Sequence, residues 1–299
     1  MRNVDMLLSV VLRLQPDRPL TNVVSLGRAA HAGFLKLINQ VNPGLAWDLH
    51  RSTVNPFTIA ISTAGNASDV TATGKTALID LRIASIESKV SSLLRNLQTS
   101  WIAQLTLMNV KCKVVRIFTE TGAHPWVQES TFLEILNNGL ARARRGELEV
   151  EFRFLSPTSF SLAESRLSMP LPWPRLVFQS LAQRWNAFSP VPLWINWLEF
   201  DRCVSISDCR VRTYRVDFGR FGEIGFVGTC RFVLAKGTKL ELRRSLHALA
   251  EFAFFSGVGK KTSMGMGFVV PTLTKCGRRK RVKVEGSSTG PSAYDLHTF

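Results

Sequence analysis

The sequence contains no CxxC pair. Cys112, Cys203, Cys209, Cys230 and Cys276 are scattered, and none stands at zinc-finger spacing from a histidine. An odd, dispersed set points to free thiols in a reducing compartment, most of them small core residues, and argues against a disulfide framework. No apolar run reaches 18 residues, which argues against a membrane-spanning helix. The segment Met1 to Leu14 sets Arg2, Asp5 and Arg13 around a short apolar stretch with no cleavage site, so no secretory leader is expected and the cytoplasm is the expected location. There is no Gly-x-Ser-x-Gly elbow and no catalytic-cysteine signature. Asp201, Asp208 and Asp217 lie in a basic region without metal-ligand spacing, so neither a metal nor another cofactor is expected. Acidic side chains are themselves scarce, 22 against 38 lysines and arginines, for a formal net charge of +16. That excess favours a polyanionic partner, nucleic acid first.

What is present is a globular chain of 299 residues, long enough for one or two domains. The apolar run Val4 to Leu14 predicts a strand, broken by Pro16 and Pro19. Leu26, Ala30, Phe34, Leu37 and Val41 recur at helical spacing, predicting a helix from about Asn22 to Val41 that Asn42-Pro43-Gly44 stops. Strands are expected over Pro56 to Ser62 and Thr76 to Ile86, a helix over Glu87 to Trp101, and a strand over Lys111 to Glu120. Thr131 to Arg145 reads as a helical linker whose Arg142, Arg144 and Arg145 suit a helix C-terminus or an RNA contact. In the second half, Leu148, Val150, Phe152 and Phe154 alternate with charged residues, the pattern of a half-buried strand. A helix over Pro174 to Phe188 follows. Strands over Cys209 to Phe218 and Gly225 to Ala235 are joined by a glycine-rich turn. An amphipathic helix over Lys239 to Phe255 and a short strand over Gly267 to Thr272 end the series. Each half therefore reads β-α-β-β-α-β, the split βαβ unit. The expected fold is α+β, two tandem ferredoxin-like domains over 1–128 and 147–275. A helical linker over 129–146 joins them, and a basic arm over 276–299 follows.

The most specific motif is GVGKKTSMGMG, residues 257–267, with spacing G-x-G-x5-G-x-G between a helix and a strand. Gly257, Gly259, Gly265 and Gly267 permit positive φ and close backbone approach. Free amides in such a loop would form an anion-binding concavity, to which Lys260, Lys261, Thr262 and Ser263 add charge and hydroxyl donors. It is not a Walker A loop, because Phe254 stands where the first glycine should be and Lys260 is followed by Lys261. A dinucleotide-binding loop fails as well, since that loop runs from a strand into a helix.

A helix, this glycine-rich loop with internal lysines, and a final strand resemble the C-terminal signature of the repeat-associated RNA-binding (RAMP) superfamily of CRISPR proteins. Within it the chain resembles the repeat-processing endoribonuclease, the sixth Cas family. FRFLSPTSF at 152–160, GFVGTCRFVL at 225–234 and AAHAGFLKLINQVNPGLAWDLHRS from residue 29 fit the same family, so the likeness runs to about Thr274. The resemblance implies metal-independent cleavage of precursor crRNA within the repeat. The ribose 2′-OH attacks the adjacent phosphate, leaving a 2′,3′-cyclic phosphate and a 5′-OH. It also implies CRISPR repeat RNA as partner. Effector-complex subunits are a further candidate partner, no membrane is expected, and the chain is a monomer or homodimer. The alternative reading is a non-catalytic crRNA-binding subunit.

Such chemistry needs a base, an acid and a cation at the phosphate, and histidine suits either proton task. His31 falls on the flank of the first predicted helix with Arg28 one turn earlier on the same side. Spacing alone favours a boundary histidine beside a solvated arginine. The resemblance implies a catalytic histidine in or beside this helix, which favours His31. His50, read as a loop residue next to Arg51, is the second candidate. His247 is expected on a polar helix face, solvated or RNA-facing, and His124 in a loop without a partner. Arg210, Arg212 and Arg215 cluster on one predicted strand as candidate RNA contacts, the alternative being a solvated sheet face.

Overall fold

A computed structural model describes residues 5–20, 26–64, 77–98, 102–162, 165, 167–219 and 221–272. The expected basic arm over 276–299 lies outside these residues.

The first half runs β1 (Met6–Pro16), α1 (Gly27–Val41), α2 (Pro43–Arg51), β2 (Phe57–Ala64), β3 (Leu78–Ser85), α3 (Ser88–Arg95), β4 (Gln104–Leu107), β5 (Val110–Phe118) and β6 (Gln128–Thr131). Its strands are ordered β2-β3-β1-β5-β4, with β6 paired to β1, and every pairing is antiparallel. The second half continues with α4 (Phe132–Arg144), β7 (Glu149–Thr158), the short pair β8 (Phe160–Ser161) and β9 (Ser168–Met169), α5 (Pro174–Phe188) and α6 (Trp197–Cys203). It ends with β10 (Val204–Asp217), β11 (Gly222–Leu234), α7 (Leu240–Ser256) and β12 (Val269–Thr272), in a sheet ordered β10-β11-β7-β12. In both halves the first strand sits centrally, β1 between β3 and β5 and β7 between β11 and β12, which is the split βαβ arrangement twice over.

β1 is buried along both faces, which is why it reads as an unbroken apolar run and not an alternation. One face joins the core of the first half, with α1, α2 and α3; Leu7 on the other joins the core of the second. α4 carries a capping box, Thr131 and Glu134 each accepting from the other's backbone N–H. Its Phe132, Ile135 and Leu136 belong to the core of the second half, so this connecting helix is packed along its length.

α7 departs from the amphipathic expectation. It is buried almost all round from Ser245 to Ser256, because strands of the first half cover one side and β7, α4 and α5 the other. His247, expected on a solvated face, is 1% exposed and its Nε2 lies 2.9 Å from the Glu147 carbonyl. The C-terminal carbonyls of α7 are held from both halves. Thr58 Oγ1 donates to the Phe255 carbonyl at 3.1 Å, Arg82 donates to that of Phe254, and Arg184 donates to that of Ser256. Arg82 is fully buried and has no acidic partner among the described residues. It lies between the Phe254 and Phe268 rings, and burial lowers its pKa to about 9. A cation at a helix C-terminus is favoured by the macrodipole, and these contacts fix where α7 releases the chain into the glycine loop.

His124 is also better connected than expected. Its Nε2 meets Asp80 at 3.2 Å, Asp80 pairs with Arg13 at 2.8 Å, and its Nδ1 accepts from the Trp126 amide. No described helix is long and apolar enough to cross a membrane.

Candidate active site

Asn42 does two jobs at one point. Its backbone N–H donates to the Ile38 carbonyl at the end of α1, and its side chain accepts from the Leu45 amide at 3.0 Å to start α2. Pro43 then stands in the first turn, where a missing N–H costs nothing. The Asn-Pro-Gly stop is therefore also a start. His50, expected in a loop, lies in the last turn of α2 beside Arg51 and is exposed.

α1 meets the glycine loop backbone to backbone. A Cβ on Gly27 would stand 2.0 Å from the Met264 carbonyl oxygen, and one on Gly265 would stand 2.9 Å from the Gly27 Cα. Only glycine at both places lets the helix settle this close. One turn along α1, His31 stacks on Phe57 at 5.5 Å and places Nδ1 3.0 Å from the Ser263 carbonyl. A carbonyl only accepts, so Nδ1 carries the hydrogen and the neutral ring keeps a lone pair on Nε2. Burial lowers the His31 pKa, the Ser263 contact opposes that shift, and the charge of nearby His50 adds to it. Arg28 is exposed and donates from one nitrogen to the Phe218 carbonyl at 2.9 Å, which fixes the guanidinium at the tip of the β10–β11 hairpin with further donors to offer.

The glycine loop is less open than its composition suggests. The amides of Gly257, Val258, Gly259, Lys260, Met264, Met266 and Gly267 all donate within the protein, to partners that include Pro157 and Ser159. The loop is thus laced to the FRFLSPTSF segment, which explains in physical terms why the two motifs belong together. Lys261 adopts a left-handed conformation, φ +56°, and its carbonyl accepts from both Met264 and Met266. Neither lysine is free. Lys260 meets Glu223 at 2.7 Å and donates to Ser168, while Lys261 meets Glu223 at 3.4 Å and lies 4.5 Å from the Phe221 ring. Burial alone would raise the Glu223 pKa, but the two lysines outweigh it and the net shift is downward. Thr262 and Ser263 are buried, and the Ser263 hydroxyl accepts from the Asn55 side-chain nitrogen at 3.4 Å, so neither hydroxyl is an open surface donor.

The sequence model described as CRISPR-associated endoribonuclease Cas6 matches residues 152–269, and that of the CRISPR Cas6 N-terminal domain matches residues 6–137. Thermus thermophilus Cas6 (TTHB231) is 30% identical, with a TM-score of 0.66 over 89% of this chain and 98% of its own. The chain belongs to the Cas6 family. A Cas6 (TTHB231) product complex is 29% identical with a TM-score of 0.74, covering 89% of this chain and 99% of its own. A CRISPR-associated endoribonuclease Cas6 of Mycobacterium tuberculosis is 29% identical over 282 residues, 90% of this chain and 79% of the relative.

In this member of the Cas6 family the three candidate arginines sit together on β10, an edge strand, and all are exposed. Arg210 lies 3.5 Å from Asp208, Arg212 lies over the Tyr214 ring at 4.8 Å, and Arg215 packs against Gly222. Arg231, one strand inward, is tied to Glu151 at 2.9 Å. Among the described residues no three His, Cys, Asp or Glu side chains gather as a metal-ligand set. Cys112 and Cys230 are buried and Cys209 is exposed, all as free thiols. Sequence reasoning missed Ser263 as the acceptor that orients His31, Phe218 as the anchor of Arg28, and Glu223 as the counter-ion of the loop lysines. Each is a contact across the two halves or between distant segments, and no local spacing encodes it.

Proposed function

We propose that this protein binds CRISPR repeat RNA and cuts precursor crRNA within the repeat, without a metal ion. The 2′-OH attacks the adjacent phosphorus, the bond to the 5′ oxygen breaks, and a 2′,3′-cyclic phosphate and a 5′-OH result. His31 Nε2 takes the 2′-OH proton, Arg28 offsets charge on the phosphate, and His50 supplies a proton to the leaving 5′ oxygen; solvent exchange resets both rings. Arg210, Arg212 and Arg215 hold the repeat by its phosphates. The glycine loop supports the reaction chiefly by orienting His31. The observation that carries this reading is the seat of His31 on the Ser263 carbonyl, with its pKa lowered by burial, which is what a base neutral at physiological pH requires.

His31→Ala is expected to bind repeat RNA as the wild type does while cutting it on the order of 100-fold or more slowly, and EDTA is expected to change neither property. Full cutting by His31→Ala removes that assignment, and loss of cutting in EDTA removes metal independence. A wild type that binds tightly and never cuts is instead a crRNA-binding subunit.

A further inference from the structure

The tip of the β10–β11 hairpin is built with more care than a solvent turn requires. Phe218 donates its amide to the Phe221 carbonyl at 2.9 Å, and Asp217 accepts from the Gly219 amide at 2.8 Å. Gly219 sits at φ +88°. Phe218 and Phe221 face each other across the turn, with ring centroids 5.4 Å apart and planes 30° from parallel. Their duties differ. Phe218 is buried with Val216 and Met266 against the glycine loop, whereas Phe221 leaves 45% of its surface to solvent. The Lys261 ammonium lies 4.5 Å from the Phe221 ring, and Arg28 grips the carbonyl of Phe218 in the same turn.

An exposed aromatic ring with one cation against it and a second bonded to the backbone of the same turn, beside a proposed cleavage site, has a chemistry of its own. Nucleobases stack on aromatic rings with little regard to sequence, and adjacent cations hold the phosphates that flank the stacked base. We propose that Phe221 is a stacking platform for a base next to the cleaved bond. This rests on the nuclease reading above. Stacking there would splay the strand and hold the 2′-OH and phosphate where His31 and Arg28 can act, and Phe221 would take no part in proton transfer.

The test uses the full chain and a repeat RNA. The cut site is first mapped with the wild type. A non-cleavable RNA with a 2′-deoxyribose at that site then carries 2-aminopurine at each flanking nucleotide in turn. Wild type is expected to quench one of these probes on binding. Phe221→Ala and Phe221→Leu should lose that quench and bind on the order of tenfold more weakly, and Phe221→Tyr should restore both. Phe221→Leu keeps an apolar cover over Phe218, so its failure separates stacking from packing. Even when saturated with RNA, Phe221→Ala and Phe221→Leu should cut more slowly than the wild type, because the 2′-OH and phosphate are no longer held in place, and Phe221→Tyr should recover the rate. Quenching and affinity unchanged in Phe221→Leu would overturn the platform while leaving the nuclease reading intact. A wild type that neither binds nor cuts removes both.

Discussion

Gly27 and Gly33 lie in the same helix and face different surroundings, so exchanging each for alanine isolates the contact on which the site depends. At Gly33 the nearest atom to a new Cβ is the Thr106 carbonyl oxygen at 3.9 Å, an ordinary contact. Gly33→Ala should therefore stabilise the protein by about 0.5–1 kcal/mol through the lower backbone entropy of the unfolded chain. At Gly27 the new Cβ would stand 2.0 Å from the Met264 oxygen, and that atom is backbone, with no rotamer to yield. Helix and loop must part by about 1 Å, and overpacking of this kind costs about 1–3 kcal/mol. For a chain this long, roughly 2 °C accompanies each kcal/mol, so the two variants should melt on opposite sides of the wild type. The chemistry should respond more steeply than the stability. Moving α1 outward by about 1 Å stretches the 3.0 Å contact between His31 and Ser263 past hydrogen-bonding range, and a misplacement of about 1 Å costs on the order of 100-fold in rate. Single-turnover cleavage and thermal melting of both variants measure this. If Gly27→Ala melts and cuts like Gly33→Ala, α1 does not rest on the loop and the site as described is wrong.

Two further outcomes follow from charges in the same region. Glu223→Gln releases Lys260 and Lys261 from their shared counter-ion, so repeat RNA should bind severalfold more tightly at low salt, with a log–log salt slope steeper by about one. Equal affinity and slope would make the lysines purely structural. His247 is buried with its pKa lowered by burial, so the unfolded chain takes up a proton at a higher pH than the folded one. The stability it contributes is whole above the unfolded value of about 6.5 and is lost as pH falls from there towards the lower folded value. His247→Gln should flatten that part of the acid slope in urea midpoints taken from pH 8 to 5, and an unaltered slope would contradict the assignment.

The sequence was most legible where pattern and burial coincide. The alternation through Leu148 to Phe154 became β7, and the β-α-β-β-α-β series of both halves is present, with α2, β4 and β6 added to the first and β8, β9 and α6 to the second. Local chemistry misled where one residue served two elements: Asn42 ends α1 and begins α2, and a proline after a helix was taken only as a stop. The β4–β5 hairpin went unseen because its turn is Met108-Asn109, both at positive φ, without the Asn-Gly signature of such turns. α7 misled because Arg243, Arg244 and Glu251 gave it a polar side, while packing from two directions left no broad solvent face for His247. The pairing of both loop lysines with Glu223 spans a gap that spacing rules do not cross. For the candidate site, the residue types were legible and their partners were not.

The two halves share one topology, yet the candidate site forms at a single junction. His31, the proposed base, is on the first half and the carbonyl that orients it is on the second; Arg28 and Phe218 repeat that division. The loop that makes the junction leaves a helix whose last carbonyls are gripped by Thr58 and Arg82 of the first half and by Arg184 of the second. A shift of one half against the other would therefore disturb the end of α7, the glycine loop and the His31 contact in the same movement. Glycines at 27 and 265 complete the coupling, since they let the two backbones touch without a side chain to cushion them. The position of His31 is in this sense a property of the interface between the halves, and neither half could hold it alone.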